Sequence, residues 1–424
     1  MIWLLFIVFA ITLLLGFPIA FSLGLASMAY LLGSDIPFTV IPLKMYSGID
    51  VFVLLSIPGF ILTGNLMNAA RMTDRIITFS NYLLGHIRGG LSLANIGASM
   101  IFSGISGTAI ADTASIGAIM IPAMKKEGYD TDFSCAVTAA SSTIGPIIPP
   151  SLPMIIAGSL TGLSIGKLFL AGAIPGLLLA AGLMTTSYLI SRRKGHPIHP
   201  RATIRQLLKG FADAFWALAV AGIILYGVIG GIFTPTEASV VAALFAVFIG
   251  VVVYKTLGLR ELRRVMINTA VTSSALMVLV GFANLFAWIL IVEEVPKFIA
   301  ETMLAISGQR LVLILLINLL LILVGAFMET IAALLIMFPI LLKVAVGIGI
   351  DPIHFAVIAV LNLIIGLNTP PVGVCLFVAA GIGESSLGRV ARAGLPFLAI
   401  SLVVLLLVSY LPELSLALPR LFMP

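Results

Sequence analysis

Two short stretches combine glycine, paired prolines and polar side chains inside otherwise apolar sequence: Ser141-Ser-Thr-Ile-Gly145-Pro-Ile-Ile-Pro149-Pro150-Ser151, and Gly366-Leu-Asn368-Thr369-Pro370-Pro371-Val-Gly373. Proline has no N–H and its ring obstructs the carbonyl four residues back, so each run must open a helix that its flanks would continue. The freed carbonyls need partners, and bare backbone inside a bilayer is tolerated only where it is buried in protein or lines a cavity. A dehydrated Na⁺ is a suitable partner, because it takes several neutral or partly charged oxygens at short range. Two further polar spots interrupt apolar runs, Ser103-Gly-Ile-Ser106-Gly-Thr108 and Gly325-Ala-Phe-Met328-Glu329-Thr330. The hydroxyls of Ser103, Ser106 and Thr108 could complete an oxygen shell around the first opened helix. The plainer alternative is a kink whose Ser and Thr hydroxyls bond back to carbonyls one turn earlier. Two such runs, each accompanied by a polar spot, favour ion sites.

Asp112 and Glu329 are acids within apolar sequence, where ionisable groups are costly and functional by default. Proton transport is one role for them. The other is structural: each begins a helix, where a carboxylate is favoured, with Thr113 and Thr330 alongside. The structural role is the preferred one. Neither polar spot contains Lys or Arg, so an anionic substrate would rest on helix N-termini, backbone N–H groups and bound cations. Ser106, Ser142 and Asn368 are the candidate substrate-contacting side chains. The phosphate-cradling Gly-x4-Gly-Lys-Ser/Thr pattern is missing, and Gly162 to Lys167 has the wrong spacing, which excludes nucleotide-driven pumping. Gly104-Ile-Ser106-Gly107 has the form of an intramembrane serine protease motif, which needs a histidine base in an adjoining helix. The four histidines, His86, His196, His199 and His354, fall in connections or near a segment end. A channel is a further rival, less suited to opposed hairpins than alternating access is.

Positioning such groups needs a membrane scaffold, and the composition supplies one. The 424 residues are 61% hydrophobic and 9% charged, with a mean hydropathy of +1.22, against about 25% charged in soluble domains. That balance excludes a soluble enzyme, a disordered tail and a nucleic-acid binder. Apolar segments fall at 2–15, 17–33, 52–70, 91–124, 131–163, 167–190, 211–231, 235–254, 266–292, 311–343, 352–383 and 393–412. Segment 2–15 reads as a retained helix rather than a cleaved leader. Arg71–Leu84 and Val295–Ile306 are amphipathic and suit the lipid interface. Cys135 and Cys375 lie in apolar segments and do not suggest a disulfide framework.

The chain also repeats. An offset of 217 carries Pro18 to Pro235, Asp112 to Glu329, Thr113 to Thr330 and Pro122 to Pro339. An offset of 221 carries Gly128 to Gly349, Gly145 to Gly366 and Pro149-Pro150 to Pro370-Pro371. Residues 1–190 form a first repeat, with scaffold helices in 1–70, a hairpin at 91–124 and a broken helix at 131–163. A basic cytoplasmic linker follows at 191–210. Residues 211–424 form the second, with scaffold helices in 211–292, a hairpin at 311–343 and a broken helix at 352–383. Each hairpin is too long for one crossing and too short for two. With five crossings and one re-entrant hairpin per copy, the second copy is inverted. Placing basic connections inside puts 17 of the 23 Lys and Arg in the cytoplasm. Inverted repeats with broken helices at the midplane are the architecture of secondary transporters. The expected fold is an all-α polytopic membrane protein.

At this level of detail the chain resembles the large membrane subunit (DctM/SiaM type) of tripartite ATP-independent periplasmic (TRAP) transporters. Besides the two proline runs and Ser103 to Asp112, the resemblance rests on Gly16-Phe-Pro-Ile-Ala20 and Thr234-Pro-Thr-Glu-Ala238, and it covers essentially the whole sequence. It implies Na⁺-driven uptake of an organic acid, a sialic acid or a C4-dicarboxylate, across a bacterial inner membrane by an elevator motion. It implies a small four-helix membrane subunit and a periplasmic binding protein as partners, with membrane lipid around them and no nucleotide or nucleic acid. It also implies two Na⁺ sites. The first matches Ser103, Ser106, Gly145, Ile148 and Pro150, joined by the Thr108 hydroxyl. The second matches Gly325, Met328, Gly366, Thr369 and Pro371.

Overall fold

A computed structural model describes residues 1–34, 36–106, 108–370 and 372–423, with the side chains of residues 103–106, Ala300 and Leu304 outside the description. The described residues form helices and connections, with no strand among them. Eight of these helices are long and apolar enough to cross a membrane.

The chain opens with two short helices, α1 (Ile2–Leu14) and α2 (Ile19–Leu32), turned at Gly16, whose φ is +83°, and Pro18. At 13 residues α1 spans about 20 Å, short of the ~30 Å hydrocarbon layer. A surface helix, α3 (Val40–Ile49), fills a connection that hydropathy leaves blank, and a 3₁₀ turn leads into α4 (Ser56–Ala69). The first amphipathic arm is α5 (Met72–Leu84). The first hairpin pairs α6 (Gly90–Ser106) with α7 (Ala109–Lys126). The first interrupted helix comprises α8 (Thr131–Ser142) and α9 (Leu152–Thr161), followed by the 30-residue α10 (Ile165–Lys194).

The second half opens with α11 (Ile204–Ile229) and α12 (Pro235–Phe248). Each begins with a capping box, Thr203 with Gln206 and Thr234 with Glu237. Then follow α13 (Leu259–Val292), the arm α14 (Val295–Ile306), and the hairpin α15 (Arg310–Phe327) and α16 (Thr330–Gly347). The second interrupted helix is α17 (Pro352–Gly366) with α18 (Val374–Gly383), and α19 (Leu387–Tyr410) and a short α20 (Glu413–Phe422) close the chain. The order hairpin, interrupted helix, long helix therefore occurs in both halves.

The helices pack in two sets. In one, α2, α3 and α4 lie against α13, α4 also lies against α12, and α11 lies against α12 and α5. In the other, α7, α18 and α19 surround α8, α15 and α16 flank α17, and α10 packs on α19 and α20. The second set holds the densest core. Every residue from His354 to Gly366 is buried, as expected of a helix apolar on all sides. Buried amides join hairpin to interrupted helix in each half. Asn95 Nδ2 donates to Thr138 Oγ1 at 2.7 Å, and Asn362 Nδ2 donates to Asn318 Oδ1 at 2.7 Å. Outside, Trp3, Leu14, Tyr226 and Leu244 are exposed, apolar surface that suits lipid tails.

The basic linker is shorter and better anchored than its composition suggests. Only residues 195–203 are non-helical, and they dock on both neighbouring turns. His199 N–H donates to Gly85 O at 3.1 Å, Gly89 N–H to Pro197 O at 3.3 Å, and His199 Nε2 lies 2.7 Å from Glu127 Oε2.

Candidate ion and substrate site at two interrupted helices

The first interruption runs from Thr143 to Ser151 between α8 and α9. The Pro149–Pro150 peptide bond is cis. Ser151 restarts the helix, its Oγ accepting from Met154 N–H at 3.2 Å and donating to Pro146 O. Among the described residues no hydrogen bond is made to the carbonyls of Gly145, Ile148 or Pro150. The second interruption lies between α17 and α18, where Cys375 N–H returns to Leu367 O at 3.1 Å. Neither stretch is a kinked continuous helix.

Hairpin turns approach both interruptions. Thr108 is the extended residue before α7. Asp112, in the first turn of α7, is fully buried, and its Oδ2 lies so close to Gly145 that a Cβ there would collide with it. The side chains of Ser103 and Ser106 lie outside the described residues, as does Pro371. In the second hairpin Glu329 Oε2 accepts from Ile331 N–H at 2.9 Å and Ala332 N–H at 3.3 Å, so this acid caps α16. Gly325 meets Gly366 backbone to backbone: a Cβ on Gly366 would stand 2.6 Å from Gly325 Cα. Met328, at the turn, is mostly buried. Cys375 sits beside Thr113 with Asp112 and Glu329 within electrostatic reach, which gathers both hairpins around the start of α18.

Several hydroxyls bond back along their own helices: Ser142 to Thr138 O at 2.8 Å, Thr369 to Ile365 O at 3.0 Å and Thr113 to Ala109 O at 2.8 Å. Ser142 is fully buried in this way. Asn368 does something different. Its Nδ2 donates to Ala139 O at 2.9 Å, tying the second interruption to the last turn of α8.

Other residues at the site were not evident from motifs. Gly172 and Gly176 of α10 let that helix touch the first interruption, at Ile147 O and the Ile148 side chain. Their small-x3-small spacing was the available signal. A cleft of about 200 Å³ lies where α4 and α13 face the first hairpin turn, lined by Asn65, Asn68, Thr108, Ser115, Thr272 and Leu276. Asn68 Nδ2 donates to Ser115 Oγ across it at 3.2 Å. Asn65 and Asn68 stand three apart on one helix face, a pattern legible in the sequence. Neutral amides and hydroxyls of this kind can bind a carboxylate or sugar hydroxyls.

The chain is similar to known proteins in sequence and in fold. The family model for the tripartite ATP-independent periplasmic transporter, DctM component, matches residues 6–414. The sialic acid TRAP transporter large permease protein SiaM of Vibrio cholerae serotype O1 is 44% identical over 409 residues, 96% of each chain. The C4-dicarboxylate TRAP transporter large permease protein DctM of Pseudomonas aeruginosa is 40% identical over 400 residues, 94% of each chain. The solved YdaH transporter of Alcanivorax borkumensis shares the fold at 14% identity, with a TM-score of 0.62 covering 88% of this chain and 87% of that one. The family resemblance carried by the proline runs thus holds, and with it the protease alternative falls away. The chain belongs to the DctM component family of tripartite ATP-independent periplasmic transporters, as a multi-pass permease subunit of the inner membrane.

Proposed function

We propose that this permease couples Na⁺ entry to uptake of an organic acid by an elevator motion. The observation that carries the reading is the pair of interrupted helices, joined by Asn368 and met by two hairpin turns, with carbonyls at Gly145, Ile148 and Pro150 that no described donor satisfies. Buried carbonyls without donors cost free energy, and a bound alkali cation offsets it. One ion lies among Thr108, Gly145, Ile148 and Pro150, with Ser103 and Ser106 added from the hairpin turn. A second lies beside the Gly325–Gly366 contact, held by these residues with Met328 and Thr369, and Pro371 is added from the sequence match alone. Asp112 contributes negative charge to the first site. The hairpins are re-entrant and enter from opposite faces. The set built on α8 and α17 carries the sites past the set built on α4, α12 and α13. The acid binds in the cleft at Asn65, Asn68 and Thr108, where the ions supply the positive charge that the lining lacks.

The relatives' names support a sialic acid, a C4-dicarboxylate or a related acid as the substrate, with delivery by a periplasmic binding protein and a small membrane subunit completing the permease. A sialic acid is the first candidate to test, since the 44% relative is named for one. Proton coupling through Asp112 is the second reading, favoured by the burial of that carboxylate beside Gly145. The deciding experiment is uptake by proteoliposomes holding the permease and its small subunit, supplied with loaded binding protein. Uptake that stops when Na⁺ is removed at constant pH supports the proposal. Uptake driven by a proton gradient without Na⁺ defeats it.

A further inference from the structure

A second cleft, of about 360 Å³, separates the same two helix sets further along α13. It is lined by Lys44, Ser47, Asn284, Trp288, Leu335 and Pro339, among others. Trp288 lies 28 residues beyond Arg260 on one continuous helix, a rise of about 42 Å. That exceeds the ~30 Å hydrocarbon layer, so the cleft opens on the face opposite the basic connections. Lys44 Nζ stands 5.2 Å from the Trp288 ring centroid, and among the described residues it has no ion-pair partner. Its backbone is fixed, since Asn284 Nδ2 donates to Lys44 O at 2.7 Å and Ser47 Oγ donates to it at 3.1 Å. A cation held over an aromatic face, without an acid of its own and beside an amide and a hydroxyl, is a receptor for a carboxylate. Lys343 of α16 lines the neighbouring recess together with the Glu294–Lys297 ion pair, which leaves one net positive charge there.

The cleft is also connected to the hairpin site by register. Thr272 and Leu276 line the inner cleft, and Val280, Asn284 and Trp288 line the outer one. These residues recur every four positions, so they form a ridge of α13 about 24 Å long that leads from one cleft to the other while turning about 160° around the helix axis. We propose that the outer cleft is a docking subsite for the organic acid on its way in, with Lys44 pairing the carboxylate and Trp288 and Asn284 forming its wall. This deepens the transport reading above and rests on it.

The test uses the small number of tryptophans. The chain has three, so Trp3→Phe with Trp216→Phe leaves Trp288 as the sole indole reporter. The purified permease, in phosphatidylcholine nanodiscs, is titrated with N-acetylneuraminate and with succinate. The expected result is a saturable change in Trp288 emission with at least one acid, shifted at least tenfold in Lys44→Gln and little changed in Lys44→Arg. In proteoliposomes Lys44→Gln should raise the half-saturating acid concentration and leave the rate at saturation near the parent's. The proposal is overturned by an emission change identical in Lys44→Gln, or by no saturable change with either acid. It is overturned equally if phosphatidylglycerol in the disc produces the change and neither acid displaces it, since the occupant would then be a lipid headgroup. Uptake by the unmodified permease that ignores Na⁺ would sink the transport reading but leave the emission titration to judge the cleft.

Discussion

Asp112 and Glu329 stand 217 residues apart at matched positions, yet the structure uses them differently. Glu329 caps α16 through two backbone N–H groups, whereas Asp112 lies inside the first turn of α7 and turns its carboxylate to Gly145. Asp112→Asn should therefore raise the Na⁺ concentration for half-maximal uptake at least tenfold, about 1.4 kcal/mol, measured at fixed pH. An unchanged Na⁺ dependence would remove Asp112 from the ion site. Glu329→Ala should cost about 1 kcal/mol of stability through the lost cap, read as a lower thermal midpoint. Gly366→Ala drives a methyl into the Gly325 backbone and should cost about 1–3 kcal/mol, again read from the thermal midpoint. A midpoint equal to the parent's would show that the two helices separate freely. The prolines and glycines of the interruptions were legible in the sequence because each acts on its own backbone. The partner of Asn368 was not, because Ala139 lies 229 residues away and nothing local marks a carbonyl as an acceptor.

The apolar and amphipathic stretches fall on helices, and their ends are less sharply marked in the sequence. The hairpins span Gly90–Lys126 and Arg310–Gly347, where hydropathy gave 91–124 and 311–343. Gly90, Lys125, Lys126 and Arg310 are polar or small ends that an apolar window discards, whereas α16 also runs on past Lys343 through the apolar Val344 to Val346. Helices α3 and α20 escaped notice because they are short and lie on the surface. The linker escaped because its basic composition reads as solvated, although His196 is buried against Tyr129 and Phe133, with ring centroids 4.3 and 5.0 Å away. Burial holds the His196 pKa below its ordinary value despite Asp130 nearby, so the folded protein disfavours the charged ring. The unfolded chain takes up that proton first as pH falls through about 6.5, so stability should decline there. Asp130 is also held below its usual range, by its hydrogen bond to Lys194 at 2.6 Å; for an acid this favours the charged form, and its contribution disappears only at much lower pH. The thermal midpoint should fall between pH 7.5 and pH 5.5, and His196→Phe should flatten that slope. An unaltered slope would assign the pH response to other groups.

At the scale of the molecule, the two helix sets meet along α13 and α16, with α5 leading from one set into the hairpin of the other. An elevator requires this seam to slide. Cysteines placed at Ala287 on α13 and Leu335 on α16, which line one cleft, should trap the sets when crosslinked and reduce uptake to background, with recovery on reduction. Full uptake through a completed crosslink would exclude sliding at this seam. The repeat and the proline runs suggest a scaffold and a moving part without marking which helices of each pack together. Contacts between sets depend on long-range packing, which no spacing encodes.

The most direct measurement of the central claim is equilibrium binding of radiolabelled Na⁺ to the purified permease in detergent, without substrate or gradient. The expected result is saturable binding of about two ions per chain, with one lost in Thr108→Ala/Asp112→Asn and the other in a Gly325→Val variant that still folds. Absence of saturable Na⁺ binding, or binding untouched by these changes, would contradict the account.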